Sequence, residues 1–212
     1  AAVSNDGVKW VPSLGALVAA ILIQIGANFA NDLFDFRKGS DTDDRLGPIR
    51  VSRSGLLTSR QIVGGIYVSF GSASLIGVYL VWVGGWPILA IGVLSILAGI
   101  TYSGGSLAYG YRGLGDLAVF LFFGVFAVNG TYYIQALSFD WLAVWACIPV
   151  GALATAILTV NNLRDIDTDR ATGKVTLAVR MGVLGTQKEY IMLLILAFLV
   201  PLAMWGLGVV GP

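Results

Sequence analysis

Apolar stretches separated by polar connections dominate the chain from residue 11 onward. Six stretches are long enough, or nearly long enough, to cross a bilayer as a helix, which takes about 20 residues. They cover residues 11–34, 61–82, 86–103, 114–137, 141–163 and 190–210. The pattern predicts an all-α fold, a polytopic bundle of about six transmembrane helices that forms a single domain over residues 1–212.

The connections between these stretches alternate between short and long, as expected for helices that cross a membrane back and forth. The turns at 83–87 and 137–141 are short, whereas polar connections occupy 35–60, 104–113 and 164–189. Of the 13 Lys and Arg residues, all but one lie in the long connections. Because Lys and Arg concentrate on the cytoplasmic side of membrane proteins, we expect these three connections to be cytoplasmic.

Composition supports the membrane assignment. The chain is 57% apolar, has a mean hydropathy of +0.82 and is only 12% charged, which is about half the charged share of a soluble domain. A net charge of +1 gives no general basic signal for nucleic acid. The absence of histidine excludes histidine metal sites and catalytic histidines, and the single cysteine, Cys147, lies in an apolar run. Any catalytic chemistry must therefore come from other side chains.

A cluster of amides and carboxylates closes the first apolar stretch. Asn28, Asn31, Asp32 and Asp35 stand at positions i, i+3, i+4 and i+7. This spacing places them on one face of a helix, at its end near the first long connection. Asp41 follows in that connection, after Gly39.

A second cluster closes the fifth apolar stretch in the same way. Asn161 and Asn162 are followed by Asp165 and Asp169, which stand four residues apart. The two clusters both run from Asn to carboxylates and then to cations and a glycine, so they resemble a weak internal repeat. Both end a helix that crosses the membrane in the same direction, which predicts that the clusters face each other.

Carboxylates four residues apart on one helix face repel each other, and the negative end of the helix dipole adds to the cost. A multivalent cation between them would offset this repulsion. With oxygen ligands and no His, the expected ion is Mg²⁺, which keeps few protein ligands and completes its coordination with water and phosphate oxygens. The clusters therefore predict a magnesium-bridged diphosphate site, with Arg and Lys contacts to the remaining oxygens. A solvated, salt-bridged collar at the membrane surface is the alternative.

The chain resembles the UbiA-type intramembrane prenyltransferases, and within them the branch that prenylates 1,4-dihydroxy-2-naphthoate. The resemblance rests on three separated motifs in order. N-F-A-N-D-L-F-D matches the family's N-D-x-x-D motif, Y-S-G-G-S-L-A-Y-G-Y-R-G-L-G-D follows in the middle, and N-N-L-R-D-I-D-T-D-R carries the D-x-x-x-D motif. The motif positions are Asn31, Asp32, Asp35, Asp41, Asp165 and Asp169.

The resemblance implies a Mg²⁺-dependent enzyme. It would transfer an isoprenyl group from a prenyl diphosphate to dihydroxynaphthoate with loss of CO₂, forming demethylmenaquinone or a phylloquinone precursor. The implied catalytic residues are Asp32, Asp35, Asp165 and Asp169. The implied metal ligands are Asn31, Asp32, Asp35, Asp41, Asp165 and Asp169. The implied substrate contacts are Asn28, Asn31, Asp41, Arg50, Tyr102, Tyr109, Arg112, Asn161, Asn162 and Lys174.

Within that set, Arg50, Arg112 and Lys174 are expected to bind the diphosphate. Tyr102 and Tyr109, together with Tyr111, are expected to stack on the aromatic acceptor or on the allylic cation. Cationic anchors on the positive side of the membrane and interfacial tyrosines explain the same residues equally well.

The resemblance also sets expectations for extent and location. The family has about nine spanning helices, so the six predicted here correspond to helices two to seven, and we expect a fragment without the first and last helices. The expected setting is the lipid bilayer of a bacterial plasma membrane, with the active face cytoplasmic and no nucleic-acid partner. A plastid membrane is the alternative.

Other functions are compatible with parts of the pattern. A UbiA-type enzyme for 4-hydroxybenzoate or for a haem or chlorophyll precursor is disfavoured by the Asp35-to-Asp41 spacing and by the stretch R-G-L-G-D. A transporter or channel with an acidic vestibule would place acids near the bilayer midplane, where the predicted spans have none. The CDP-alcohol phosphotransferases carry an opening D-G-x-x-A-R motif that is missing here.

Overall fold

The computed structural model describes residues 7–40, 47 and 50–209, and every regular element in these ranges is a helix. The α-helices are α1 (Trp10–Arg37), α2 (Val51–Ser54), α3 (Ser59–Gly84), α4 (Trp86–Thr101), α5 (Gly115–Val119), α6 (Ala127–Ala136), α7 (Trp141–Arg164), α8 (Ile166–Ala171) and α9 (Leu177–Gly206). A 3₁₀ turn covers Tyr109–Arg112, and a π-helical segment, Phe120–Phe126, joins α5 to α6.

Five helical runs are long and apolar enough to cross a membrane. They are α1, α3, the continuous run Gly115–Ala136, α7 and α9. The shorter apolar helix α4, with 16 residues, lies between the second and third runs. The predicted all-α, polytopic bundle of about six spans is therefore confirmed.

The third long connection is shorter than the sequence pattern predicts. We expected a connection over 164–189, but α9 begins at Leu177, so only 165–176 separate it from α7. Thr176 starts the helix by accepting a hydrogen bond from the Val179 amide at 3.3 Å, and Gly182 then breaks the helical geometry with φ 69° and ψ 179°. As a result Glu189 lies inside a span, whereas the sequence pattern placed it at the end of the connection 164–189.

Two helix pairs, α1 with α3 and α7 with α9, make the most extensive packing contacts in the described bundle. Small residues allow close approach, as is common between membrane helices. At Gly26 a Cβ atom would stand 2.8 Å from the Phe70 ring. At Gly124 a Cβ atom would stand 2.7 Å from the backbone of Gly151, which locks the π-helical run against α7.

The ends of α1 and α7 meet because the polar connections bind each other. α7 ends where Asp165 leaves helical geometry (φ −96°, ψ 10°), and α8 then turns the chain back. The Val175 amide donates to the Tyr111 carbonyl at 3.2 Å, which ties the third connection to the second. The first connection is tied to α1 through α2. These contacts gather the polar segments at one end of the bundle.

Candidate active site

Carboxylates from both acidic clusters line one narrow cleft at this end of the bundle. The cleft is nearly closed, with a volume of about 10 Å³, roughly the room of one water molecule. Its walls are formed by Asp35, Ser40, Arg50, Asp165, Thr168, Asp169 and Lys174. Asp35 of the first cluster, Asp165 and Asp169 of the second, and two cations thus converge on one cleft.

Asp35 is held by partners from three segments. It is 2% exposed. Its Oδ2 forms an ion pair with the Arg50 guanidinium, at a nitrogen–oxygen distance of 2.9 Å. The Tyr111 hydroxyl donates to its Oδ1 at 2.8 Å. Asn31 contacts the buried Ser103 hydroxyl, and with its amide nitrogen turned toward the carboxylate it donates to Asp35 Oδ2 at 3.1 Å. Charge-assisted hydrogen bonds of this kind fix a carboxylate firmly.

Asp32 is also buried, but its partner is a single residue of α2. The Ser52 amide donates to Asp32 Oδ2 at 3.1 Å, and the Ser52 hydroxyl contacts Oδ1. Asp32 is one turn from Asp35 on α1 and does not line the cleft with it. Its carboxylate positions α2, and through α2 it positions Arg50.

Asp165 occupies the break between α7 and α8. The neighbouring Arg164 binds it in a two-pronged contact, with nitrogen–oxygen distances of 2.7 and 2.8 Å. The side chain of Asp165 remains 13% exposed, facing the cleft. The break itself aims this side chain, because a continuous helix would carry the chain away from α1.

Asp169 is the buried acid of α8. The Lys174 ammonium lies 3.4 Å from its Oδ1, and the Lys174 amide donates to its carbonyl at 2.8 Å. Its Oδ2 is buried and has no hydrogen-bond partner among the described residues. Burial raises the pKa of Asp169, and the Lys174 charge opposes this rise. Asp169 therefore brings an unused oxygen ligand to the cleft.

Tyr111 joins the two halves of the site. The sequence predicted that it stacks on the acceptor or the allylic cation, and it did not predict the bond to a carboxylate. Besides its bond to Asp35, its hydroxyl lies 2.7 Å from Ser40 Oγ. The ammonium groups of Lys38 and Lys174 lie over its ring at 4.2 and 5.7 Å from the centroid. The signal available in the sequence was its position in Y-G-Y-R, between the predicted Tyr109 and Arg112. Ser52 carried no comparable signal.

Tyr102 and Tyr109 pack against each other outside the cleft lining. Their rings pack edge to face at 5.3 Å, and the Tyr109 hydroxyl donates to the Ala98 carbonyl at 2.9 Å. Burial raises the pKa of Tyr109 to about 12, so its hydroxyl stays a donor. Among the described residues, neither tyrosine lines the cleft.

Four predicted contacts lie elsewhere. Asn28 and Asn161 are exposed, one turn or more before the cleft. Arg112 is exposed and donates to the Ser106 carbonyl at 2.7 Å. Asn162 is buried, within hydrogen-bonding reach of Asp116. Asp41 lies outside the described residues.

The donor set fits a hard cation such as Mg²⁺, although the described residues contain no group of three acids already gathered around a metal position. The carboxylates of Asp35, Asp165 and Asp169 line the same cleft. They offer oxygen only, and one oxygen of Asp169 is without a partner. Oxygen ligands are those that Mg²⁺ prefers.

Comparison with known proteins points in the same direction. The profile of the UbiA prenyltransferase family matches residues 1–212. A Mycobacterium tuberculosis protein named 1,4-dihydroxy-2-naphthoate octaprenyltransferase is 43% identical over 181 residues, covering 85% of this chain and 62% of the relative. Proteins of the same name from Haemophilus influenzae (40% identical, 88% and 63% covered) and Escherichia coli (41%, 92% and 65%) are similar to it as well.

The chain therefore spans a little under two thirds of the length of these curated relatives. No solved structure matches it.

Proposed function

The chain belongs to the UbiA prenyltransferase family, and from this membership we propose that the protein transfers an isoprenyl group from a prenyl diphosphate to 1,4-dihydroxy-2-naphthoate, with loss of CO₂. The observation that carries the proposal is the convergence of two acidic clusters and two cations on one cleft. The names of the relatives that are about 40% identical support the acceptor.

In this proposal the diphosphate of the donor occupies the cleft. Arg50 and Lys174 line it, and their charges are now balanced by Asp35 and Asp169. An entering diphosphate offers the two cations stronger, multiply charged oxygen partners, and Arg binds such groups in a two-pronged manner. The carboxylates released from these ion pairs become free to bind a metal ion.

Asp35, Asp165 and Asp169 would hold the Mg²⁺, with Asn31, Asp32 and Asp41 completing the proposed set. When bound, the ion supplies positive charge that stabilises the leaving diphosphate. The chain itself contributes Arg50 and Lys174, which neutralise the charge that develops on the diphosphate as the bond to the isoprenyl carbon breaks. The ammonium groups of Lys38 and Lys174, which lie over the Tyr111 ring, place two positive charges beside the proposed diphosphate position.

The remaining chemistry needs an electron-rich ring and a dry environment rather than a protein nucleophile. The isoprenyl carbon becomes cationic as the diphosphate leaves, the ring carbon attacks it, and the ring carboxylate departs as CO₂. The apolar helices α1, α7 and α9 border the cleft end of the bundle and would exclude water from the cation. The cation distribution supports a cytoplasmic cleft, in a bacterial plasma membrane.

The test uses membranes from cells in which the full-length protein is the only prenyltransferase. They are incubated with labelled isoprenyl diphosphate and either dihydroxynaphthoate or 4-hydroxybenzoate, with Mg²⁺ or with EDTA. We expect a prenylated product from dihydroxynaphthoate alone, and only with Mg²⁺. A product from 4-hydroxybenzoate alone would refute the acceptor, and no product from either would refute prenyl transfer.

A further inference from the structure

Two acids lie inside the apolar part of the bundle, away from the cleft. Asp116 opens the run Gly115–Ala136, and Glu189, the sole glutamate in the chain, lies within α9. Asp116 is 5% exposed. Acids at such positions are costly in a membrane protein and usually serve substrate or ion binding.

The two acids approach the same stretch of α7, and each retains an unused oxygen. Phe120, one turn after Asp116, and Leu193, one turn after Glu189, pack in one cluster with Ala152 and Ala156. Asp116 Oδ2 and Glu189 Oε2 are both buried, and neither has a hydrogen-bond partner among the described residues. The salt bridges found in the described part of the chain involve neither acid. A buried carboxyl oxygen without a donor is expensive, which indicates that a donor is supplied from outside the chain.

The surroundings of the acids suit a small polar aromatic molecule. Thr159 and Asn162 of α7 are buried, and the Thr155 hydroxyl of the same helix donates to the Asp116 carbonyl at 3.5 Å. Thr159 also lines an apolar groove of about 360 Å³ between α7 and α9, with Leu163 and Tyr190 among its other walls; neither acid is among the residues that line it. A volume of a few hundred cubic ångströms is typical of small-molecule sites, in which a few polar groups orient an otherwise apolar ligand.

The acid pair is linked to the cleft through one residue. The Tyr102 hydroxyl lies beside Gly115, the neighbour of Asp116, where a Cβ atom would stand 3.1 Å from it, and the Tyr102 carbonyl accepts from the Gly110 amide at 2.9 Å, in the turn that carries Tyr111. A ligand held at Asp116 would therefore lie next to the diphosphate position rather than at a remote surface.

We propose that Asp116 and Glu189 form a subsite that binds the ring hydroxyl groups of the aromatic acceptor. This inference rests on the proposed function and deepens it. Phenolic hydroxyls are the donors that the two unpartnered carboxyl oxygens lack, and the flat ring is complementary to the apolar walls. A site whose carboxyl oxygens accept hydrogen bonds from a ligand hydroxyl strongly prefers ligands that carry this hydroxyl over ligands that lack it.

The test measures acceptor binding directly, without prenyl diphosphate. Purified full-length protein in detergent is titrated with 1,4-dihydroxy-2-naphthoate and with 1-hydroxy-2-naphthoate, and tryptophan fluorescence quenching gives each Kd. We expect the wild type to bind the dihydroxy compound about 10- to 100-fold more tightly. In Asp116→Asn that preference falls to less than threefold, and Glu189→Gln reduces it by a smaller factor, while the KM for prenyl diphosphate stays within twofold. A purely structural role would weaken both ligands alike.

Asp140→Asn is the matched control, because Asp140 lies at the other end of α7 and caps that helix through the Leu142 amide. It should keep the full preference. If the wild type binds the two naphthoates with equal affinity, the subsite is refuted. This result comes from the wild type alone, so it holds even if Asp116→Asn fails to fold. An unchanged preference in Asp116→Asn would overturn it as well. If the wild type binds neither naphthoate, the acceptor assignment itself fails, which is a distinguishable result.

Discussion

The two acidic clusters are stabilised in different ways. In the first, Asp32 and Asp35 receive partners from distant segments, namely Ser52, Arg50 and Tyr111. In the second, the partners found among the described residues are close in sequence, Arg164 for Asp165 and Lys174 for Asp169. The first cluster leaves no buried carboxylate oxygen unpaired among the described residues, whereas Asp169 leaves one.

This difference assigns distinct roles to clusters of similar sequence. The first holds three segments together and therefore combines structure with chemistry. The second is shaped by a helix break and a turn, and one oxygen of Asp169 remains without a hydrogen-bond partner among the described residues. We infer that damage to the first should reduce both stability and activity, and damage to the second should reduce activity with a smaller effect on stability. The following substitutions in the full-length protein test this contrast.

The largest effect is expected from Asp35→Asn. It removes a proposed metal ligand and leaves Arg50, which is 15% exposed, without its partner. We expect kcat/KM for prenyl transfer to fall about 10²- to 10³-fold, and the melting temperature to fall by several degrees because a largely buried charge loses its pair. Activity assays and thermal denaturation of the purified protein measure both. Wild-type stability together with full activity would remove Asp35 from the site.

A loss of activity with a smaller loss of stability is expected from Asp169→Asn. The isosteric amide keeps the shape of the side chain, and the carboxylate that it replaces has one partner for Oδ1, Lys174 at 3.4 Å, and none for Oδ2 among the described residues. We expect kcat to fall about 10²-fold, the magnesium concentration for half-maximal activity to rise, and the melting temperature to fall less than in Asp35→Asn. Asp167→Asn is the control, since the Asp167 side chain is 96% exposed two residues away. If the two variants lose activity equally, the burial of Asp169 is irrelevant.

A smaller effect is expected from Ser52→Ala. It removes the hydroxyl contact to Asp32 but keeps the amide hydrogen bond. Because Ser52 then holds α2 to Asp32 by one hydrogen bond fewer, Arg50 should be positioned less precisely. The KM for prenyl diphosphate should therefore rise about 2- to 10-fold, in line with the loss of one hydrogen bond. Ser54→Ala is the matched control, because the Ser54 hydroxyl bonds locally, donating to the Val51 carbonyl and accepting from the Leu56 amide. An identical KM in both variants would separate α2 from donor binding.

Much of the architecture was predictable from the sequence. The apolar stretches predicted the bundle, and the spacing of Asp32 with Asp35 and of Asp165 with Asp169 predicted two helix ends rich in carboxylates. These features follow from local periodicity, which a single sequence displays directly.

Contacts made by the connections were not predictable in the same way. Asn28 shares the helix face of Asp32, yet it is exposed because α2 and the Tyr109–Arg112 turn cover only the last turns of α1. Ser52 and Tyr111 bind carboxylates 20 and 76 residues away in sequence, and no local pattern encodes such pairings. The early start of α9 was missed because Gly182, Gly185 and the polar run 186–189 interrupt the apolar pattern before Tyr190.

Gly182 separates the part of α9 that packs near the cleft from the part that crosses the bilayer. Its φ of 69° with ψ near 179° belongs to glycine, and a Cβ atom there would meet no neighbour within 4 Å, so the backbone angle alone demands glycine. Arg180, just before this joint, anchors to the Arg112 carbonyl at 2.8 Å. We expect Gly182 to act as a hinge. The long helix can then change its tilt in a thicker or thinner membrane without moving the charged groups that precede the hinge.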